Sequence, residues 1–269
     1  RVEMDMDYIE KAVTLVDRAQ PSYGLVDSKR DVPGEIEYKQ SRTVALSSKH
    51  LEKNHILTPQ TDKVIVNAYK VLRTRVLQQM QQNEWTTLAV TSARPDEGKT
   101  LTAINLSISM ALKLDYTVLL VDLDFRQPSM HDRFGFRPEY GLNDYLAGRV
   151  QLDKVFVNPG IERLLLLPER ETQNHTSEIL SSTGMVELVD ELKDRYRSRI
   201  IIFDLPPVLV GDDVLAFSRI ADATLLVAQE GKTTTDDLNR AIDSLGNKNL
   251  IGTVLSRSSV TNALTNYCY

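Results

Sequence analysis

Gly98, Lys99 and Thr100 close the stretch "SARPDEGKT" (92 to 100), which follows the apolar run "TLAVTS" (87 to 92) and precedes a helical pattern. That order of residue types suits one chemistry, the binding of nucleotide phosphates. A loop of about five residues between a strand and a Gly-Lys pair lets successive backbone N–H groups curl around a phosphate. Ala93, Arg94, Pro95, Asp96 and Glu97 supply that loop. The helix beginning at Lys99, Thr100 and Leu101 then turns its positive end toward the anion. Lys99 would reach the β- and γ-phosphates, and the Thr100 hydroxyl would sit on Mg²⁺. Ala93 replaces the glycine that usually opens such a loop, which is acceptable if its backbone stays at negative φ.

Two further strand ends carry carboxylates. "VLLVDLDFRQPS" places Asp122, Asp124 and Arg126 directly after an apolar run, and "IIIFDLPP" places Asp204 after another. Open α/β sheets present ligands at the carboxyl ends of their strands. If the strand continues past Asp122, alternation sets Asp122 and Asp124 on one side, beside a metal-bound triphosphate. One of the two could bind metal while the other accepts a proton from a hydroxyl nucleophile. Asp204 could orient Mg²⁺ directly or through water.

The tetrapeptide EGKT recurs in "AQEGKTTTDD" (228 to 237). Six residues before Lys232 is Leu226, inside the apolar run "ATLLVA", so no loop remains to wrap a phosphate. The threonines and Asp236 and Asp237 suit a helix N-cap and first turn instead. The second copy is therefore expected to be a capping turn at a far part of the sheet.

The elements that must hold these residues are short apolar runs at 87 to 92, 117 to 122, 164 to 168, 200 to 204, 223 to 228 and 251 to 256. Most are unalternating, as strands buried on both faces are, and helical stretches such as Thr102 to Leu112 and Met185 to Tyr196 lie between them. The expected architecture is an α/β, doubly wound, mostly parallel sheet. A helix precedes the first strand, with Val64, Tyr69, Leu72, Val76 and Leu77 forming one stripe. Before it, "DYIEKAVTLVDRA" (7 to 19) reads as an amphipathic helix that packs on its own domain or docks a partner, and residues 20 to 54 read as an extended linker. Three regions result: helix and linker over 1–62, a phosphate-loop domain over 63–258, and a flexible tail over 259–269.

The 269 residues are 42% hydrophobic, as in a folded globular protein. No apolar run approaches the roughly 20 residues that span a bilayer, and no signal peptide is visible at residue 1. The single cysteine, Cys268, excludes an internal disulfide framework and a multi-cysteine metal site, which suits a reducing cytoplasm. A net charge of -5 argues against nucleic acid as the main partner.

From Val64 to Arg257 the chain resembles the bacterial tyrosine kinases of capsule and exopolysaccharide synthesis, whose fold is related to the MinD and ParA ATPases. The resemblance rests on the proline-containing loop "SARPDEGKT", the DxDxR motif "DLDFR", the "DLPP" motif, and "RQPSMHDRFGF", "GLNDYLAG" and "SEILSS". MinD and ParA proteins usually carry Lys-Gly-Gly where this chain has Arg94, Pro95 and Asp96, so the kinase branch is the better match.

The resemblance implies Mg-ATP as cofactor and transfer of the γ-phosphate to tyrosine, with acceptors in a C-terminal cluster on a neighbouring protomer. Here the cluster is Tyr267 and Tyr269 in "NALTNYCY". It implies Lys99, Asp122, Asp124 and Arg126 as the catalytic set, with Asp122 the base, and Thr100, Asp122, Asp124 and Asp204 around the metal. The adenine end falls on Ser256 and Arg257, where related ATPases often have Asn. The family's ExxRxxR helix, associated with ring assembly, appears as "NAYKVLR", with Asn67 and Lys70 at its first two key places and only Arg73 retained. Self-association is implied, as dimer or ring, together with a membrane-embedded polysaccharide co-polymerase as activator. "IEKAV" resembles the start of stand-alone members, so the activator is expected on a separate chain, and the kinase in the cytoplasm at the inner face of the membrane. The alternative is a MinD/ParA-like ATPase switch that positions a partner without marking tyrosine.

Overall fold

The computed structural model describes residues 42–113, 116–195, 199–246 and 249–258. The helix read at 7 to 19 and the tail with Tyr267 and Tyr269 lie outside them. Among the described residues eight strands form one sheet: β1 Arg42–Thr43, β2 Thr87–Ser92, β3 Thr117–Asp122, β4 Val157–Asn158, β5 Leu164–Leu167, β6 Arg199–Asp204, β7 Ala223–Gln229 and β8 Leu250–Ser256. Their order is β1-β4-β5-β3-β6-β2-β7-β8, and all neighbours are parallel except β4 and β5. The six longer strands are the six apolar runs of the sequence. β1 and β4, two residues each, are too short to carry a period and were not legible.

The doubly wound architecture follows from how each strand divides its side chains. Leu88, Val90, Val118, Leu120, Ile200 and Ile202 enter one hydrophobic core, and Ala89, Leu119, Val121, Ile201 and Phe203 enter the other. Alternate residues of one strand thus serve two cores, which is why the runs look continuous in sequence. At roughly 1.5–3 kcal/mol for each large side chain fully buried, both faces must be covered by helices. The first core is closed by α1 Ser48–Lys53, α2 Lys63–Gln82, α3 Lys99–Ala111 and α4 Met130–Phe134. The second is closed by α5 Leu142–Leu146, α6 Leu152–Val155, α7 Thr176–Leu180, α8 Thr183–Arg195, α9 Asp213–Phe217 and α10 Thr235–Leu245.

The α2 helix starts where Asp62 caps it, accepting from the Val64 N–H at 2.7 Å. Val76, Leu77 and Met80 are buried, with Val66, Tyr69 and Leu72 packed beside them, so Val66 and Met80 extend the stripe expected from sequence. The linker reading does not hold for residues 42 to 54. Arg42 and Thr43 pair with β4, and α1 packs near α4. Further along, Ile56 and Leu57 are buried in the first core, held by Asn105, whose Oδ1 accepts from the Leu57 N–H at 2.9 Å while its Nδ2 donates to the His55 carbonyl at 3.0 Å. A polar side chain on a buried helix needs such partners, and backbone amides of this segment provide them. Nothing in the polar sequence around 42 to 54 announces that pairing.

Candidate functional site

The loop from Ala93 to Gly98 leaves the carboxyl end of β2, near the middle of the sheet, and runs directly into α3. Its tight course is made by two left-handed residues, Asp96 at φ 61° and Gly98 at φ 94°. Aspartate tolerates that region, whereas the Gly98 angle suits only glycine. Ala93 does not need a positive φ; it is fully buried and its carbonyl accepts from the Leu209 N–H at 3.2 Å. Gly98 stands at the N-cap of α3, whose first turn carries no acidic residue. The backbone N–H groups that a helix start leaves unpaired therefore face the end of the sheet where the strand carboxylates lie.

Those carboxylates arrive on adjacent strands. Asp122 and Asp204 are register partners at the ends of β3 and β6, and Val90 of β2 pairs with Asp204 on its other side. Asp122, Asp124 and Asp204 are all buried, as are Lys99 and Thr100. Lys99 Nζ lies 2.6 Å from Asp124 Oδ2 and 3.6 Å from Asp204 Oδ1, and donates to Thr100 Oγ1 at 3.2 Å. Asp122 Oδ1 accepts from the Asp124 N–H and its Oδ2 from the Met130 N–H, each at 3.2 Å. The strand stops at Asp122, so alternation does not bring Asp124 to the site. A turn does, with the Gln127 N–H donating to Asp124 Oδ1 at 3.1 Å.

The electrostatics follow from putting three carboxylates and one ammonium in a dry place. Burial first, then Asp204 and Asp124, push the Asp122 carboxyl well above the usual carboxylate range. Burial also raises Asp204, to about 6, with Lys99 opposing and Asp124 adding. For Lys99 burial lowers the pKa, but Asp204 and Asp124 outweigh it and hold the ammonium charged. Among the described residues neither oxygen of Asp204 receives a hydrogen bond of good geometry, although Lys99, 3.6 Å away, and Thr100 stand close enough to lower its pKa. Buried carboxylate oxygens without donors are rare, and a cation is the group that satisfies them. No three metal-binding side chains converge as a closed cage among the described residues. Mg²⁺ held by one or two carboxylates plus nucleotide oxygens needs no such cage.

The other sequence-derived candidates lie outside the carboxylate cluster. Arg126 turns to Asp213 of α9, donating from Nε to Oδ2 at 2.6 Å, and Asp213 Oδ1 accepts from Thr176 Oγ1. Leu101 faces the first core. Ser256 lies against the loop, its Oγ donating to the Glu97 carbonyl at 2.6 Å and its Cβ 3.5 Å from where a Gly98 side chain would begin. Arg257 is exposed in a left-handed conformation at φ 53°. Arg94 donates to Asp237 Oδ1 at 2.7 Å, which raises the guanidinium pKa and lowers that of the carboxyl.

The second EGKT is a cap, as its residues suggested: Thr234 Oγ1 accepts from the Asp237 N–H at 3.1 Å, and Asp237 returns a bond to the Thr234 N–H. Its position differs from the expectation. β7 pairs directly with β2, Ser92 beside Val227, so this turn stands next to the phosphate loop and touches it. Asp237, Thr233 and Lys232 are the site residues that sequence reasoning missed. Only strand order brings them there, and strand order is not written in either tetrapeptide.

No family model matches the chain. Among individual proteins, tyrosine-protein kinase etk of Escherichia coli (strain K12) is 31% identical over 206 residues, 76% of this chain and 28% of that protein. Tyrosine-protein kinase YwqD of Bacillus subtilis (strain 168) is 28% identical over 208 residues, 77% of this chain and 86% of that protein. The solved kinase domain of Escherichia coli tyrosine kinase ETK superposes with a TM-score of 0.66 at 28% identity, covering 85% of this chain and 93% of that one. The chain thus spans 28% of the length of etk and most of YwqD. No helix among the described residues is long and apolar enough to cross a membrane.

Proposed function

We propose, on the premise that the chain belongs to the bacterial tyrosine-kinase family, related in fold to the MinD and ParA ATPases, that it transfers the γ-phosphate of ATP to tyrosine. The observation that carries the proposal is the meeting of Lys99, at the end of a phosphate loop, with Asp122, Asp124 and Asp204 in one buried cluster. Residues 93 to 101 cradle the phosphates through backbone N–H groups, and Lys99 exchanges its carboxylate partners for β- and γ-phosphate oxygens. Bound Mg²⁺, held by Thr100 with Asp204 and Asp124, would neutralise charge building on the transferred group. Asp122, with its pKa raised by burial and by Asp204 and Asp124, is the proton acceptor for the tyrosine hydroxyl. Arg126, held by Asp213, completes the proposed catalytic set. Ser256 and Arg257 border the adenine end.

Tyr267 and Tyr269 are the proposed acceptors, phosphorylated by a neighbouring protomer. The cytoplasmic chain would reach the inner face of the membrane through a polysaccharide co-polymerase on another chain and regulate polymer assembly or export. The helix read at 7 to 19 is the proposed docking element, and the kinase domain takes in residues 63–258 together with the segment from Arg42 to Leu57 that pairs with β4 and packs in the first core. Incubation with Mg-ATP followed by mass spectrometry tests the reading. Phosphate on Tyr267 or Tyr269 is expected, lost in Lys99→Met. ATP turnover with no phosphotyrosine anywhere would instead identify a MinD/ParA-like switch.

A further inference from the structure

We infer that the second EGKT turn is a positioning brace for the phosphate loop, with Thr233 as its central residue and a nucleotide phosphate as the ligand whose binding it supports. The inference rests on the nucleotide reading of the first loop and goes beyond it. Glu97 is the starting point: its side chain is fully buried in a loop of polar residues, where a carboxylate needs a reason to be. Its Oε2 accepts from the Arg94 N–H at 2.9 Å, and its Oε1 accepts from Thr233 Oγ1 at 2.5 Å. Thr233 Oγ1 in turn accepts from the Gln229 N–H at 2.8 Å, which ties the hydroxyl to the end of β7. One carboxylate therefore links the loop's entry, its last residue before Gly98, and the neighbouring strand.

Three other bonds hold the same loop from the same side. Lys232 Nζ donates to the Pro95 carbonyl at 2.8 Å, Arg94 pairs with Asp237 at 2.7 Å, and Ser256 Oγ donates to the Glu97 carbonyl at 2.6 Å. Residues 94, 95 and 97 are each fixed from α10, from the turn after β7 or from β8, and between them the left-handed Asp96 completes the turn. The direction of these bonds matters. Side chains of the second turn and of Ser256 bind two carbonyls and the Glu97 carboxylate of the loop, so these acceptors are occupied away from the phosphate; the Arg94 N–H is taken by Glu97, and the N–H groups from Asp96 onward are the ones left to face the ligand. Pre-ordering a loop in this way lowers the cost of binding rather than adding a contact to the ligand. Thr233 is thus a positioning residue, not a catalytic one.

The test uses the full chain and Mg-ADP in titration calorimetry, with steady-state kinetics beside it. Thr233→Val is expected to weaken Mg-ADP binding about tenfold, in keeping with the loss of one charge-assisted anchor. KM for ATP should rise by a similar factor while kcat stays within about twofold, and Thr233→Ser should restore both. Lys232→Met, an exposed change that cannot disturb folding through a buried group, should weaken binding about threefold. Unaltered Mg-ADP affinity in both Thr233→Val and Lys232→Met overturns the brace, as does a Thr233→Val defect confined to melting temperature. Wild-type chain that takes up no Mg-ADP removes the nucleotide site and the brace together, and so separates the two failures.

Discussion

The two copies of EGKT follow neighbouring parallel strands, β2 and β7, yet only the first sets its lysine among buried carboxylates. After β2 the chain spends five residues on a loop before Gly98, and Lys99 ends with its side chain 10% exposed between Asp124 and Asp204. After β7 the strand ends at Gln229, Gly231 follows almost at once, and Lys232 is exposed. It reaches the Pro95 carbonyl in the loop that leads to the first copy rather than a carboxylate. The difference teaches that Gly-Lys-Thr is only the closing piece of a site. What comes before the glycine decides whether backbone N–H groups surround a ligand, and what the adjacent strands carry decides whether the lysine has chemistry to do.

Breaking the comparison at the lysines should give the largest contrast. Lys99→Met is expected to reduce phosphotransfer by at least about a thousandfold, since it removes the positive charge aimed at the transferred group. It should also lower the melting temperature by several degrees in nucleotide-free protein, because Asp124 and Asp204 remain buried without their counter-charge. Lys232→Met should change stability by less than about 0.5 kcal/mol, as expected at an exposed position. Calorimetric melts and a phosphotransfer assay on both variants check this, and equal losses would erase the distinction.

Asp122→Asn should lower kcat by on the order of a hundredfold with little change in KM, because a buried amide keeps the volume but cannot take a proton. A loss confined to KM would move Asp122 from proton transfer to binding. Asp204→Asn should act in the opposite sense on stability. Its carboxyl pKa is raised from 3.8 to about 6, so ionisation opposes folding as pH rises through that interval, and at neutral pH the penalty is fully present. The amide should therefore raise the melting temperature of nucleotide-free protein by roughly 5 °C while phosphotransfer falls. A lower melting temperature would show that Asp204 is held by its pairing with Lys99 rather than destabilised by burial. A smaller effect on the site belongs to the cap: Thr234→Ala should cost about 1 kcal/mol of stability by releasing the Asp237 N–H, with Mg-ADP affinity nearly unchanged.

Sequence reasoning found the strands of this protein because strands buried on both faces need long apolar runs, and Leu119 to Val121 or Ile200 to Phe203 can hardly be anything else. It singled out Lys99, Asp122 and Asp204 because open α/β sheets present ligands at strand exits, and the structure brings these three side chains together. It misplaced the stretch 42 to 54, where a two-residue strand and a six-residue helix carry too few residues for any periodicity. Asp124 reached the cluster by a turn rather than by strand alternation, a distinction invisible in the letters.

The sequence by itself determined which residues could hold a phosphate and which carboxylates could stand opposite, since both depend on local spacing along one strand and its exit. The tertiary structure alone decided that β7 lies beside β2, that Glu97 is buried, and that Thr233, Lys232 and Asp237 lean on the loop. Strand order is a property of how two cores are shared among ten helices of the described chain, not of any window of residues. For that reason the four letters repeated at 230 to 233 read as an isolated cap until their neighbour across the sheet was known.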